Sequence, residues 1–219
     1  MDEYYNNDKF YEILKRNNIE MDVLPPDQQI KYVKPDEDYD FHSYRIILLI
    51  KLCGIVKPEI SPFETLYGRR KFAFYDFLIR YPFYLEKAVG MKKKNDKLMK
   101  LLNLKSFEKE EVFSPMVKFI RGPWDFEYEN IFNYLISKDL IEVQYTNITK
   151  HKKEFTISLT ETGNEVALKI KEEEKLWVDR MQIINNLFRA NATNEKIDTY
   201  IEDNFGELYK GLGEILDVN

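Results

Sequence analysis

The spacing of apolar residues changes several times along this chain, and each change marks an element. From Phe41 to Cys53 nearly every position is apolar, and Gly54 ends the run. A helix apolar on most faces is a buried one, so this segment is expected to be the central core helix, with Cys53 a buried core thiol. Ser61 to Gly90 reads as a second helix, with Ser61 as N-cap, Pro62 at the first helical position and Glu64 completing a capping box. Leu66, Ala73, Phe74, Phe77, Leu78 and Tyr81 line one broad face of it, and a break or bend is expected near Tyr81-Pro82. Arg69, Asp76 and Arg80 share another face.

A lysine-rich stretch leads into a short amphipathic helix on Leu98, Leu101 and Leu102. Asp125 is expected to cap a helix running to Lys138, with Glu127 and Glu129 in the first turn, where the dipole favours carboxylates. Two alternating runs follow, Ile141-Val143-Tyr145 and Phe155-Ile157-Leu159, joined by a polar turn from Asn147 to Lys153. Thr162 and Glu165 suggest a capping box for a long helix from Gly163 to Arg189. Ile170, Trp177 and Ile184 recur along it every seven residues, and Glu172, Glu173 and Glu174 argue against a long coiled coil. After a hinge at 191–193, a last amphipathic helix is expected over Asn194–Leu216.

At the other end, residues 7–18 suggest a short amphipathic helix. Pro25, Pro26 and Pro35 then favour an extended arm. Helix, hairpin and helix in this order outline a winged helix. The expected fold class is mainly α with a small β-hairpin. It comprises an N-terminal helix and arm (1–40), a winged-helix-like core domain (41–162) and C-terminal helices suited to partner packing (163–219).

Charge alters this picture more than composition does. The 219 residues carry a net charge of −5, but residues 41–106 alone carry +9 between acidic flanks. Such a middle suits a polyanion or an acidic partner surface, or it neutralises its own flanks within the fold. Lys92, Lys93 and Lys94, and Lys150, Lys152 and Lys153 in the hairpin turn, are candidate nucleic-acid contacts. The helix before the hairpin is acidic, which works against sequence-specific DNA binding because phosphate contacts dominate affinity.

Candidate chemistry is sparse. One cysteine and two histidines cannot make a four-ligand His/Cys zinc site, and there is neither a glycine-rich phosphate loop nor a G-x-S-x-G turn. No cofactor and no enzymatic activity are expected. The acidic opening MDEYYNND lacks a signal peptide's apolar core, and no run approaches the ~20 apolar residues that span a bilayer, so a cytoplasmic protein without membrane contact is expected.

RIILLIKLCG, then SPFETLYGRRKFAFYDFLIRYPFYLEKAV, then the winged-helix tail resembles the middle component of bacterial ABC-three-component systems. It is most similar to the small subunit of Lamassu-type anti-phage defence complexes. The resemblance covers about residues 41–170, and YGRRKFAFYDFLIRYP is its clearest block. It implies a non-catalytic subunit that binds an SMC/Rad50-like coiled-coil ATPase, within a complex that also holds a nuclease-like effector. Tyr67, Arg69, Arg70, Lys71, Tyr75 and Arg80 are the candidate partner-binding residues, since Tyr and Arg dominate such hot spots. The alternative from a different class is a stand-alone winged-helix DNA-binding transcriptional regulator.

Overall fold

The computed structural model describes residues 15–16, 38–92, 95–109, 112, 114–149, 152–188 and 192–216. The chain divides into Met1–Val33 and Lys34–Asn219, and every element below belongs to the second unit. Apart from 15–16, the expected N-terminal helix and the arm as far as residue 37 lie outside the described residues, as do residues 189–191, which include the first residue of the expected 191–193 hinge. The fold is mainly helical α/β. Its described residues form eight α-helices, a four-stranded antiparallel sheet and a two-stranded hairpin.

Helix α1 (Tyr39–Cys53) is the core helix that its apolar run predicts. Asp38 caps it by accepting hydrogen bonds from the backbone N–H groups of Asp40 and Phe41, and Gly54 ends it by donating to the Ile50 carbonyl. Ile46 through Ile50 are fully buried.

Ser61 does not open a helix. Ser61–Tyr67 is strand β2, which pairs with β1 (Ile55–Lys57) on one side and with β6 (Lys152–Leu159) on the other. Thr65, Leu66 and Tyr67 face Ser158, Ile157 and Thr156 in the ladder. The Thr65 and Ser158 hydroxyls also hydrogen-bond at 2.8 Å. A capping box satisfies two backbone donors locally, whereas a strand between two others satisfies its backbone on both edges; the long-range pairing wins. Glu64, freed from a capping role, meets Lys51 at 2.7 Å. Gly68, at φ 97°, makes the turn into α2 (Arg69–Arg80), a conformation that few other residues accept.

Pro82 begins α3 (Pro82–Gly90), so of the two expected outcomes at Tyr81-Pro82 the chain takes the break. Helix α4 (Asp96–Leu102) is the short amphipathic helix. The hairpin β3–β4 (Val117–Phe119, Gly122–Trp124) has no counterpart in the sequence reading. Helix α5 (Tyr128–Ser137) starts three residues after Asp125, whose carboxylate is shared: Oδ1 accepts from the Glu127 N–H at 2.9 Å just ahead of the helix, and Oδ2 accepts from Arg80. Strands β5 (Ile141–Thr149) and β6 form the expected hairpin, though the ladder extends through Thr149↔Lys152 and shortens the polar turn. The sheet order is β1-β2-β6-β5.

The long C-terminal helix is two helices, α6 (Glu161–Glu173) and α7 (Lys175–Phe188). Its N-cap is Thr160 rather than Thr162: the Thr160 hydroxyl accepts from the Gly163 N–H at 2.9 Å. Any Cβ at Gly163 would sit 1.8 Å from the Leu140 carbonyl oxygen, so glycine permits the close approach of α6 to the turn before β5. Helix α8 (Asn194–Asn204) stops well short of Leu216. Gly211 and Gly213 take positive φ, and the backbone of 213–216 instead hydrogen-bonds along Met116 and Lys118, bracing the β3–β4 hairpin. Ala167, Ile170, Met181, Ile184, Ile197 and Ile201 from the last three helices join one hydrophobic core with α1 and α2.

Candidate functional site

Helix α2 carries charge at both ends, and the fold treats the two ends differently. At its C-terminal end, Asp76 and Arg80 are buried. Asp76 accepts from Arg45 (2.6 and 3.2 Å) and from the Tyr128 hydroxyl (2.7 Å). Arg80 reaches Asp125 at 2.6 Å and Asp76 at 3.5 Å, and it donates to the Ser114 carbonyl and hydroxyl. Burial alone would raise the Asp76 pKa; Arg45 and Arg80, with hydrogen bonds from Arg45 and Tyr128, outweigh it and hold the carboxyl below its ordinary value. This network ties α1, α2, α5 and the segment before β3 together.

At the N-terminal end the arginines face outward. Arg69 is exposed, and its guanidinium lies 4.1 Å from the centre of the Trp124 ring, a cation–π contact. Arg70 is half-buried and pairs with Asp198 of α8. Lys71 is buried behind them, and burial lowers its pKa to about 8. Asp198 lies between Arg70 and Arg121, yet burial raises its pKa despite both arginines.

Two grooves meet at the Arg69–Trp124 pair. The first, of about 220 Å³, lies between α2, the β3–β4 hairpin and α8; Ala73, Phe74, Pro123 and Ile201 are among its lining residues. The second, of about 280 Å³, lies between α5 and the β5–β6 hairpin, against Phe132, Ile136, Val143, Tyr145 and Phe155. Around them stand large apolar side chains open to solvent: Ile120 is 66% exposed, Phe126 63% and Tyr145 68%. Phe119 packs edge-on against Phe126 with ring centres 6.0 Å apart. Single exposed apolar residues are ordinary, but several of them around two grooves that share Arg69 and Trp124 have the composition of an interaction surface.

Of the six candidate partner-binding residues, Arg69 is exposed and Arg70 half-buried, and these two line the first groove together. Tyr67, Lys71, Tyr75 and Arg80 are buried. Tyr67 lies under the Lys57 ammonium at 4.4 Å, Tyr75 packs against Phe188, and Arg80 belongs to the buried network. Their contribution is to the core, so they are not available to a partner at this surface. Among the lysines, Lys92 after α3 and Lys153 on β6 are exposed and sit on separate elements. Lys93, Lys94 and Lys150 lie outside the described residues, and of Lys152 only the backbone, paired with Thr149, is described.

The sequence reading missed Phe119, Ile120, Arg121, Trp124 and Phe126. The run FIRGPWDF held the available signal: large apolar residues on both sides of an Arg-Gly-Pro turn, outside any helical or alternating pattern. Cys53 is buried with its pKa pushed up to about 12 by desolvation, and its thiol meets the Met181 carbonyl. Among the described residues no group of three or more His, Cys, Asp or Glu is placed to hold a metal ion, and no helix is long and apolar enough to cross a membrane. Compared with protein-family models, curated proteins and solved structures, the chain matches none.

Proposed function

We propose that this chain is a non-catalytic assembly subunit of an anti-phage defence complex. It binds an SMC/Rad50-like coiled-coil ATPase and helps to couple DNA sensing by that ATPase to a nuclease-like effector. The identity of the partners rests on the resemblance of residues 41–170. The observation that carries the assembly role is the exposed aromatic and aliphatic surface around the Arg69–Trp124 pair. Buried anchors beside arginine are the usual energetic centre of a protein interface.

Topology supports a winged-helix-like core. The elements follow one another as α1, β2, α2, α5, β5 and β6, and β2, β6 and β5 are neighbours in the sheet, with β1 on the outer edge of β2. This order supports a winged-helix reading in which residues 81–127 are an insertion between the second and third helices. The insertion supplies Trp124 and the β3–β4 hairpin, so the surface differs from what a bare winged helix would present.

A stand-alone DNA-binding regulator is less well supported. Exposed Glu127 and Glu129 stand at the start of α5, the helix a regulator would use for reading bases, and Tyr134 donates to Asp40 beside it. Acidic groups there repel phosphate.

The test is affinity purification of the tagged chain from its native operon. Stoichiometric co-elution of a large coiled-coil ATPase is the expected result. Recovery of the chain alone, with salt-sensitive binding to duplex DNA, would replace this reading with the regulator.

A further inference from the structure

The first groove combines an apolar floor with a cationic rim. Ala73, Phe74 and Ile201 lie in it, and Arg69, Arg70 and Arg121 stand around it. At about 220 Å³ it is below the usual 300–1,000 Å³ of a site for a drug-sized molecule, and better fitted to one or two side chains. Nearby carboxylates do not balance the rim. Asp198 takes Arg70, and Arg121 reaches it only at 3.9 Å, beyond hydrogen-bond range. Arg69 meets an aromatic ring, and Glu202 is the further carboxylate felt at Asp198. One oxygen of Asp198, Oδ1, is buried without a hydrogen-bond partner. Two guanidinium forks, those of Arg69 and Arg121, are thus unmet by a carboxylate hydrogen bond among the described residues.

We infer that this groove seats a short acidic–apolar segment of the partner protein, with an aliphatic or aromatic side chain on its floor and flanking Asp or Glu carboxylates on Arg69 and Arg121. The inference rests on the assembly reading for who the partner is, and on charge complementarity for what the segment looks like. Arg–carboxylate pairs are planar and bidentate, which fixes the segment's register as well as its affinity. A basic or uncharged segment would bury the same apolar area but leave both guanidiniums unpaired.

The experiment places a photoreactive benzoylphenylalanine at Ile120 in the full-length tagged chain in its native host, in parallel with Arg121→Glu. Arg121 is 64% exposed, so its reversal is expected to leave the fold intact, which an unchanged circular dichroism spectrum and denaturation midpoint check. The expected cross-link joins Ile120 to an ATPase peptide in which Asp and Glu flank an apolar residue, and Arg121→Glu lowers ATPase recovery about tenfold (about 1.4 kcal/mol) at low salt. If the ATPase co-elutes but the cross-linked peptide is neutral or basic, or Arg121→Glu changes nothing, the groove assignment falls and the assembly reading stands. An acidic segment of a different protein, lost with Arg121→Glu, would retain the groove and overturn the ATPase partner. Absence of any cross-link overturns the inference.

Discussion

The two ends of α2 put similar residues to opposite uses. Asp76 and Arg80 near its C-terminus are enclosed by Arg45, Asp125, Tyr128 and Ser114, so every charge there is answered by another within the fold. Arg69 and Arg70 at its N-terminus reach a ring and a single carboxylate at the rim of an open groove. Buried charge in this molecule holds elements together; exposed charge stands beside exposed apolar side chains, the composition on which the proposed interface rests. The number of arginines on a helix does not separate these cases, and what closes around them does.

The comparison breaks most visibly at Asp76. Asp76→Ala leaves Arg45 and Arg80 buried without their shared carboxylate, and about 3–5 kcal/mol of stability should be lost in urea denaturation. A loss under about 1 kcal/mol would mean that the network is not structural. Glu108→Gln tests a second enclosed pair, in which Arg180 meets both Glu108 oxygens at 2.6 and 2.7 Å. Its cost should be smaller, roughly 1.5–3 kcal/mol, because the amide still accepts one hydrogen bond.

Acid sharpens the same contrast. Burial raises the pKa of both carboxyls, but Arg45 and Arg80 at Asp76, and Arg180 at Glu108, outweigh it and leave both depressed. Their contribution is therefore full above the ordinary carboxylate range of about 4 and is lost as pH falls through the lower folded values. Denaturation midpoints should fall steadily with acidification below about pH 4, and Asp76→Ala should flatten that dependence. On the exposed side, Arg69→Ala removes one partly solvated cation–π contact and should cost only about 0.5–1 kcal/mol. Ile120→Asp should shift stability by less than about 0.5 kcal/mol, while reducing partner retention about tenfold in co-purification.

Local patterns made much of the fold legible. The apolar run to Cys53 with Gly54, the break at Pro82, the α4 amphipath and the alternating β5–β6 strands each follow from spacing over neighbouring residues. The Ser61 segment did not, because its conformation is decided by pairing with β6, some ninety residues later, which outweighs its helical capping signals. For the same reason, helical spacing could single out the α2 charges but not sort them. It assumes one exposed face, and Lys71 through Arg80 are enclosed on all sides by α5, the sheet and the C-terminal helices. Arg69 and Arg70 were recognisable from sequence. Their apolar neighbours on β3–β4 were not, because strands of three residues are too short to show a period.

Hydrogen exchange of the chain, free and in complex with its co-purified partner, tests the central claim most directly. The account predicts new protection at the backbone amides of 117–126 and on β5 near Tyr145, with little change along α1, whose amides are already enclosed. Protection confined to α3–α4, or to the exposed face of α6, with the β3–β4 hairpin unchanged, would contradict it.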